Sequence, residues 1–135
     1  MFYNESEIVN EIITPTIRLR LLTNSIIHYS FLPDVVIDIE EHKINHYSII
    51  KIATLKQHPL LIDGNEYMDI TLDAKKFIKS LETYVPILAR AFVITSLSNR
   101  LLLLSYTKIN NSIYPLKTFT KHDEAQNWLL TLIKK

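Results

Sequence analysis

Two histidines with a spacing that could bind a metal ion occur in the stretch EEHKINH, where His42 and His46 lie one helical turn apart. Imidazoles at positions i and i+4 project from one face of a helix and can share a divalent ion. The zinc motif His-Glu-x-x-His is absent, and the neighbouring sequence offers no evident third ligand. The alternative, which we favour, is a solvated pair on a polar helix face, so no metal site is expected here.

Asp63, Gly64, Asp69 and Thr71 form a candidate regulatory loop in the stretch PLLIDGNEYMDITLDAKKF, between a predicted strand and a predicted helix. Gly64 is the only glycine of the chain. A phosphate-binding loop needs several glycines, because backbone amides converge on an anion only where no Cβ obstructs them. We therefore interpret Gly64 as a positive-φ turn after the strand, with an anion-binding or regulatory loop as the alternative.

Thr71 either caps the helix that follows it or accepts a phosphate. A phosphate group would be stabilised there, because a helix N-terminus carries partial positive charge. Capping is the usual role of threonine at such a position, and it is the interpretation we favour. If Thr71 is a cap, aspartate should replace it without loss of stability.

Catalytic residues are not indicated by any motif. The 135 residues include no cysteine, which excludes a thiolate nucleophile, a thiolate metal site and a disulfide framework. The Gly-x-Ser-x-Gly elbow of many serine hydrolases is also absent. The sequence therefore predicts a protein that is not an enzyme and has no cofactor, and a hydrolase or transferase ranks only third among the functions considered.

A surface of arginine and aromatic side chains is predicted for the stretch TIRLRLLTNSIIHYSFL, which alternates like a β-hairpin. If Asn24-Ser25 is a two-residue loop, Arg20 lies opposite Tyr29 and Arg18 lies opposite Phe31. Arginine and aromatic residues are enriched in protein interfaces, so this face could bind another protein or a second copy of the chain as a homodimer. The alternative is a solvated sheet face on which long arginine stems cover the rings.

The elements that must position these residues alternate along the chain. After the hairpin come a short strand over DVVI and then four helices that alternate with three strands. Such an order needs crossover connections, which produce mainly parallel pairing. We predict a single α/β domain over residues 1–135. Its mixed, largely parallel sheet has about five to six strands, starts with the β-hairpin and has four helices mainly on one face.

The sequence also predicts the structure of both ends of the chain. Residues 1–13 are predicted to form a loose arm or a short helix. The C-terminal helix over TKHDEAQNWLLTLIKK should pack through Trp128 and Leu129, which lie on one apolar stripe.

The charge and the apolar pattern bear on partners and location. A formal net charge of +1 gives no field that would attract nucleic acid. The most apolar stretch, Val85 to Leu104, is interrupted by Arg90, Asn99 and Arg100, so its uninterrupted apolar parts fall well short of the ~18 or more residues that would predict a membrane span. The N-terminal stretch is acidic where a secretory signal would be basic. We therefore expect a cytoplasmic protein without a nucleic-acid partner or a membrane span.

The chain resembles the STAS-like family, which includes anti-sigma-factor antagonists and small bacterial relatives. The resemblance covers roughly residues 15 to 133 and rests on the order of elements, on the LLID strand before a capped helix and on the terminal FTKHDEAQNWL. In switch members of that family, an Asp-Ser-Ser-Gly-type turn carries a phosphorylated serine at a helix N-terminus. Asp63 and Asp69 match the two aspartates of that pattern. Residues 70–72 read Ile-Thr-Leu where Ser, Ser and Gly would be expected, so the resemblance carries over the fold better than the switch.

Two functions follow as expectations. The first is a non-enzymatic regulatory or protein-interaction module of STAS-like type. The second is a carrier of a small apolar ligand or lipid, suggested by the run Leu101 to Leu104, which is more apolar than one helix face requires. The run would also suit a helix that is buried on two sides.

Overall fold

The computed structural model describes residues 2–64, 67–81, 86–109 and 114–133. In chain order, its elements are β1 (Ile8–Ile13), β2 (Ile17–Leu22), β3 (Ile27–Phe31), β4 (Val36–Ile37), α1 (Ile39–Ala53), β5 (His58–Asp63), β6 (Asp69–Ile70), α2 (Leu72–Leu81), β7 (Ile87–Val93), α3 (Leu97–Ile109), β8 (Leu116–Phe119) and α4 (His122–Ile133). Within these residues, six strands form one sheet in the order β1-β2-β3-β5-β7-β8, and β4 pairs with β6 in a small separate sheet.

The six-stranded sheet is mixed. The pairs β1–β2 and β2–β3 are antiparallel, whereas β3–β5, β5–β7 and β7–β8 are parallel. Each parallel connection passes through a helix, because two parallel strands can be joined only by a crossover that returns the chain to the starting edge. The predicted α/β fold with a mixed sheet is therefore confirmed.

The loop of the β2–β3 hairpin is one residue longer than the sequence suggested. Leu22 N–H donates to the Ile26 carbonyl at 2.9 Å, which leaves a three-residue loop over 23–25. Ser25 takes a left-handed conformation with φ of 76°, as the third residue of such a loop does. The expected two-residue loop at Asn24-Ser25 is wrong.

The extra loop residue shifts the pairing of β2 with β3 by one position. Arg20 lies opposite His28 instead of Tyr29, and Arg18 lies opposite Ser30 instead of Phe31. Because side chains alternate along a strand, a shift of one residue moves the aromatic rings to the other face of the sheet. The predicted surface that combined both arginines with the two aromatic rings is wrong.

The N-terminal residues are also ordered differently from the prediction. A 3₁₀ turn over Glu5–Glu7 leads into β1, the edge strand of the sheet, and the Tyr3 side chain is buried. The prediction of a loose arm or a short helix over residues 1–13 is therefore wrong. The strand escaped detection because an exposed edge strand with a bulge between Ile8 and Asn10 has no clean apolar alternation.

Two apolar cores lie on opposite faces of the six-stranded sheet. The core on the α1 face contains Ile17, Leu19, Ile27, Tyr29, Ile49, Ile52, Ala53, Leu60, Ile62 and Ile87. The core on the α4 face contains Tyr3, Leu22, Ile26, Leu61, Ala89, Ala91, Val93, Ala125 and Leu129. Helix α2 contacts both α1 and α3. Three of the four described helices thus form a layer on one face, and α4 lies on the other.

Local capping and one buried histidine fix the ends of α1. Asp38 N–H donates to Glu41 Oε1 at 2.9 Å, which is half of the capping box expected from the sequence. At the other end, His58 of β5 has Nε2 3.0 Å from the Ala53 carbonyl oxygen and Nδ1 2.7 Å from the Ser25 carbonyl oxygen. This side chain joins β5 to the end of α1 and to the hairpin loop.

Within the described residues, no helix has the length and apolar character to cross a membrane.

The docking of α4 depends on Leu129, which is fully buried, more than on Trp128, which is half-buried with its ring 5.8 Å from that of Phe119. We expect Leu129→Ala to lower the free energy of unfolding by about 2 to 5 kcal/mol, because the vacated space cannot fully collapse. The exposed neighbour Asn127 supplies the control, and Asn127→Ala should stay within about 0.5 kcal/mol of wild type. Urea denaturation checks both values. Equal stabilities of the two variants would contradict this packing.

Candidate functional site

An apolar cavity of about 130 Å³ lies between the sheet and the helical layer of α1 and α3. Its sheet wall includes Tyr29 of β3, Ile62 of β5 and Phe92 of β7, and its helical wall includes Leu102 and Leu103 of α3. The run Leu101 to Leu104 is therefore divided. Its two middle residues line the cavity, whereas Leu101 and Leu104 are exposed.

A small number of polar side chains interrupt this apolar wall: His42, His46, Arg90 and Asn99. Arg90 of β7 is only 6% exposed, and its guanidinium carbon lies 5.6 Å from the centre of the Tyr114 ring. The rings of His42 and His46 are 6.4 Å apart, and the His42 ring is 6.3 Å from that of Phe77 in α2. Apolar pockets with a few convergent polar groups are the usual form of small-molecule sites.

The two histidines of α1 are held in their neutral form. Burial, together with the nearby His46 and the positive charge of Arg90, lowers the pKa of His42 to about 4. Burial also lowers the pKa of His46. The expectation of a solvated pair is wrong, because α2 packs on α1, both imidazoles line the cavity and His46 is only 6% exposed. Neutral imidazoles can both donate and accept hydrogen bonds within the cavity.

The candidate regulatory loop does not form one site. Asp69 and Ile70 pair with Val36 and Ile37 of β4, whereas Asp63 joins histidines from β3 and α4. Gly64 lines the cavity and does not have a positive φ, so its interpretation as a positive-φ turn is wrong. A Cβ at Gly64 would lie 3.5 Å from Asn99 Nδ2 and from Met68 Sδ, which is ordinary van der Waals contact.

Thr71 caps α2 and makes a second contact that the sequence did not indicate. Ala74 N–H donates to Thr71 Oγ1 at 3.1 Å, which is the bond of an N-cap to the third residue of its helix. Thr71 Oγ1 in turn donates to Asp38 Oδ1 at 2.8 Å. A negative charge at position 71 would therefore face the carboxylate of Asp38.

Asp63 accepts hydrogen bonds from two histidines that the sequence reasoning missed. His28 Nε2 lies 2.7 Å and His122 Nε2 lies 2.8 Å from Asp63 Oδ2. Burial by itself would raise the pKa of Asp63, but the hydrogen bonds from His28, Ser30 and His122 outweigh it and lower the pKa below its usual value. One signal could have found the cluster, since the carboxyl end of a parallel strand and the N-terminus of a following helix tend to meet at one edge of the sheet.

The fold and the cavity define an α/β domain with an apolar site between its sheet and its helical layer. By sequence, the chain belongs to a family described as a domain of unknown function (DUF7793), whose model matches residues 20–133. That range includes the described lining of the cavity and also Asp63 with its two histidines. No curated protein and no solved structure matches the chain.

The contact between Thr71 and Asp38 predicts how the cap responds to charge. Thr71→Asp should lower the free energy of unfolding by about 1 kcal/mol relative to Thr71→Ser, because two carboxylates a few ångströms apart repel each other even near water. Asparagine caps about as well as aspartate, so Asp38→Asn in the same chain should recover the loss. A double-mutant cycle by urea denaturation measures this coupling. Strictly additive effects would contradict the contact.

The lowered pKa of His42 predicts a dependence of stability on pH. Between pH 6.5 and about 4 the unfolded chain binds a proton at His42 that the folded chain does not, so stability is full above pH 6.5 and is lost as the pH falls. The loss from this group should reach about 3 kcal/mol. Urea denaturation of wild type and His42→Gln at several pH values isolates it, because the carboxylates titrate in both proteins. If the free energy of unfolding changes with pH in the same way in wild type and in His42→Gln, the pKa of His42 is not lowered by the fold.

Proposed function

We propose that the protein is a non-enzymatic binding module that holds a small, largely apolar ligand with an acidic end group. The observation that carries the proposal is the cavity between sheet and helices, whose apolar walls bring Tyr29, Ile62 and Leu103 around an interior that also receives the charge of Arg90. Apolar surface moved from water into such a space is stabilised by about 25 cal/mol per Å².

The size of the cavity limits the ligand. An engineered cavity of about 150 Å³ lined by leucine, isoleucine and phenylalanine side chains binds benzene. The cavity between the sheet and the helices, at about 130 Å³, suits a single ring or a short aliphatic chain. For ligands of that size we expect dissociation constants between about 1 µM and 1 mM, equivalent to roughly 8 to 4 kcal/mol of binding free energy.

The polar groups of the cavity favour an acidic end group over a basic one. Arg90 carries a permanent positive charge whose effect reaches His42, as the lowered pKa of that histidine indicates. A carboxylate beside Arg90, which is itself only 6% exposed, would gain a charge-assisted hydrogen bond. A cationic ligand would be repelled by Arg90 and would find no carboxylate among the described lining residues.

A regulatory role of STAS-like type, in the cytoplasm, is the second candidate and is compatible with ligand binding. It is supported by the order of elements and by exposed leucines on α3, where Leu97 is 70% and Leu101 is 57% exposed. Leu102 and Leu103 of the same helix line the cavity, so one helix joins the ligand site to an apolar surface that another protein could contact. Pull-downs from native cells with and without ligand would test this role.

Adjacent leucines on α3 supply a matched pair of variants for ligand binding. Leu102→Trp adds a large ring in the cavity wall, whereas Leu101→Trp adds the same ring at an exposed position. With benzoate as probe, we expect wild type and Leu101→Trp to bind alike and Leu102→Trp to bind at least tenfold more weakly. Titrations followed by ¹H–¹⁵N NMR measure the affinities.

The preference for a ligand with an acidic end group is tested with the same proteins. Benzamide has the ring of benzoate without its charge, and it should bind wild type at least tenfold more weakly than benzoate because it lacks the charge-assisted bond to Arg90. Two results would contradict the proposal: no binding of either probe at millimolar concentration, or equal binding by the Leu101→Trp and Leu102→Trp variants.

A further inference from the structure

Three side chains on the α4 face of the sheet converge as the ligands of a metal ion do. His28, Asp63 and His122 each offer one ligand atom, and these atoms all lie within 4.8 Å of one another. Asp63 Oδ2 is 2.7 Å from His28 Nε2 and 2.8 Å from His122 Nε2. Tetrahedral zinc with bonds of about 2.0 to 2.2 Å holds its ligand atoms roughly 3.3 Å apart. To admit an ion, each Asp63–histidine distance would widen by about half an ångström within a cluster whose ligand atoms are at most 4.8 Å apart.

We propose that His28, Asp63 and His122 bind one divalent transition-metal ion of the Zn²⁺ type, through two imidazole Nε2 atoms and one carboxylate oxygen. Imidazole suits Zn²⁺ and the neighbouring transition metals, whereas Mg²⁺ and Ca²⁺ prefer oxygen ligands only. The site lies on the opposite face of the sheet from the apolar cavity and is independent of the ligand proposed for it.

The fold holds the three ligands on separate elements. Strands β3 and β5 are parallel neighbours with Ser30 beside Asp63, so His28, two residues earlier on β3, shares the face of Asp63. His122 is the first residue of α4, which contacts both β5 and β7. Ligands on strands and helix starts are placed more firmly than ligands on loops, which reduces the entropy lost when an ion binds.

Further side chains orient the imidazoles in the way that metal sites require. His28 Nδ1 lies 2.7 Å from the Tyr3 hydroxyl, which also accepts a hydrogen bond from Arg20 Nη1 at 3.2 Å. The Phe2 ring stacks on the His122 ring with 5.2 Å between centres and 22° between planes. The Tyr3 hydroxyl gives His28 the partner that the second ring nitrogen of a metal-binding histidine almost always has, because such a partner fixes the tautomer and the ring orientation.

Each histidine Nε2 must be free of its hydrogen to bind an ion. An ionised Asp63 accepts from the Nε2–H groups of both histidines, so both Nε2 atoms carry hydrogen before an ion binds. On binding, Nε2 gives up its hydrogen to become a ligand and Nδ1 takes one up. Tyr3 Oη is in place to accept the resulting Nδ1–H of His28.

Three protein ligands leave one coordination position for water or a small anion. The cleft that contains His28, Asp63 and His122 is also lined by Phe2, Arg18 and Ser30. Arg18 Nε is buried and has no hydrogen-bond acceptor among the described residues. A bound dication with a single carboxylate keeps a net positive charge, which together with Arg18 favours an anion at the open position.

Zinc binding by the full chain tests the proposal. Isothermal titration with ZnCl₂, and the visible spectrum after titration with CoCl₂, are measured for wild type, His122→Gln, Tyr3→Phe and His42→Gln. His122 is 35% exposed, and glutamine at this position can still donate to Asp63, so the His122→Gln variant keeps the hydrogen bond while losing a zinc ligand. His42→Gln is the matched control, because it removes a histidine from the other face of the sheet. Circular dichroism establishes that each variant is folded.

We expect one Zn²⁺ per wild-type chain, no comparable binding of Mg²⁺, and a tetrahedral Co²⁺ spectrum. Tyr3→Phe should weaken binding by about 10- to 100-fold, as changes next to metal ligands do, and His122→Gln should weaken it further. His42→Gln should bind zinc like wild type. The proposal is overturned if wild type binds no stoichiometric zinc, if His122→Gln binds as tightly as wild type, or if the loss occurs in His42→Gln instead.

Discussion

The pairing register of the β2–β3 hairpin is the constraint on which the rest of the structure depends. The left-handed conformation of Ser25 closes a three-residue loop, and that loop places Arg20 opposite His28. Because strand side chains alternate, the same register directs Tyr29 to the α1 face and His28 to the α4 face. With a loop shorter by one residue, Tyr29 and His28 would each lie on the other face of the sheet. Tyr29 would then leave the cavity wall, and His28 would lose its contact with Asp63.

Strand β5 divides the two sites that this register creates. It lies between β3 and β7, is buried on both faces and ends with Ile62 and Asp63, whose side chains lie on opposite sides of the sheet. Ile62 lines the apolar cavity, and Asp63 accepts hydrogen bonds from His28 and His122. Both sites involve the carboxyl end of a central parallel strand, which is where open α/β sheets usually bind ligands.

The histidines show how these surroundings give one residue type different chemistry. His42 is half-buried near the positive charge of Arg90, so its pKa falls and it stays neutral beside the cavity. His28, although also buried, lies against the carboxylate of Asp63 and the hydroxyl of Tyr3, which orient its ring. The chemistry of each histidine therefore depends on the side chains around it, and these side chains come from other strands and helices. The binding of the proposed ligand and of the proposed metal ion depends on the same side chains.

The sequence by itself determined much of the local structure of the chain: the order of strands and helices after β1, apart from the two-residue β6, the α/β class, the capping box at Asp38 and the cap at Thr71. These features depend on periodicity and on hydrogen bonds between residues a few positions apart, so they can be read from short stretches. Only the tertiary structure decided the hairpin register, the lowered pKa of His42, the burial of His46, and the meeting of Asp63 with histidines 35 and 59 positions away. Those outcomes depend on one extra loop residue and on which helix covers which face, and no local pattern encodes contacts between segments that are remote in the chain.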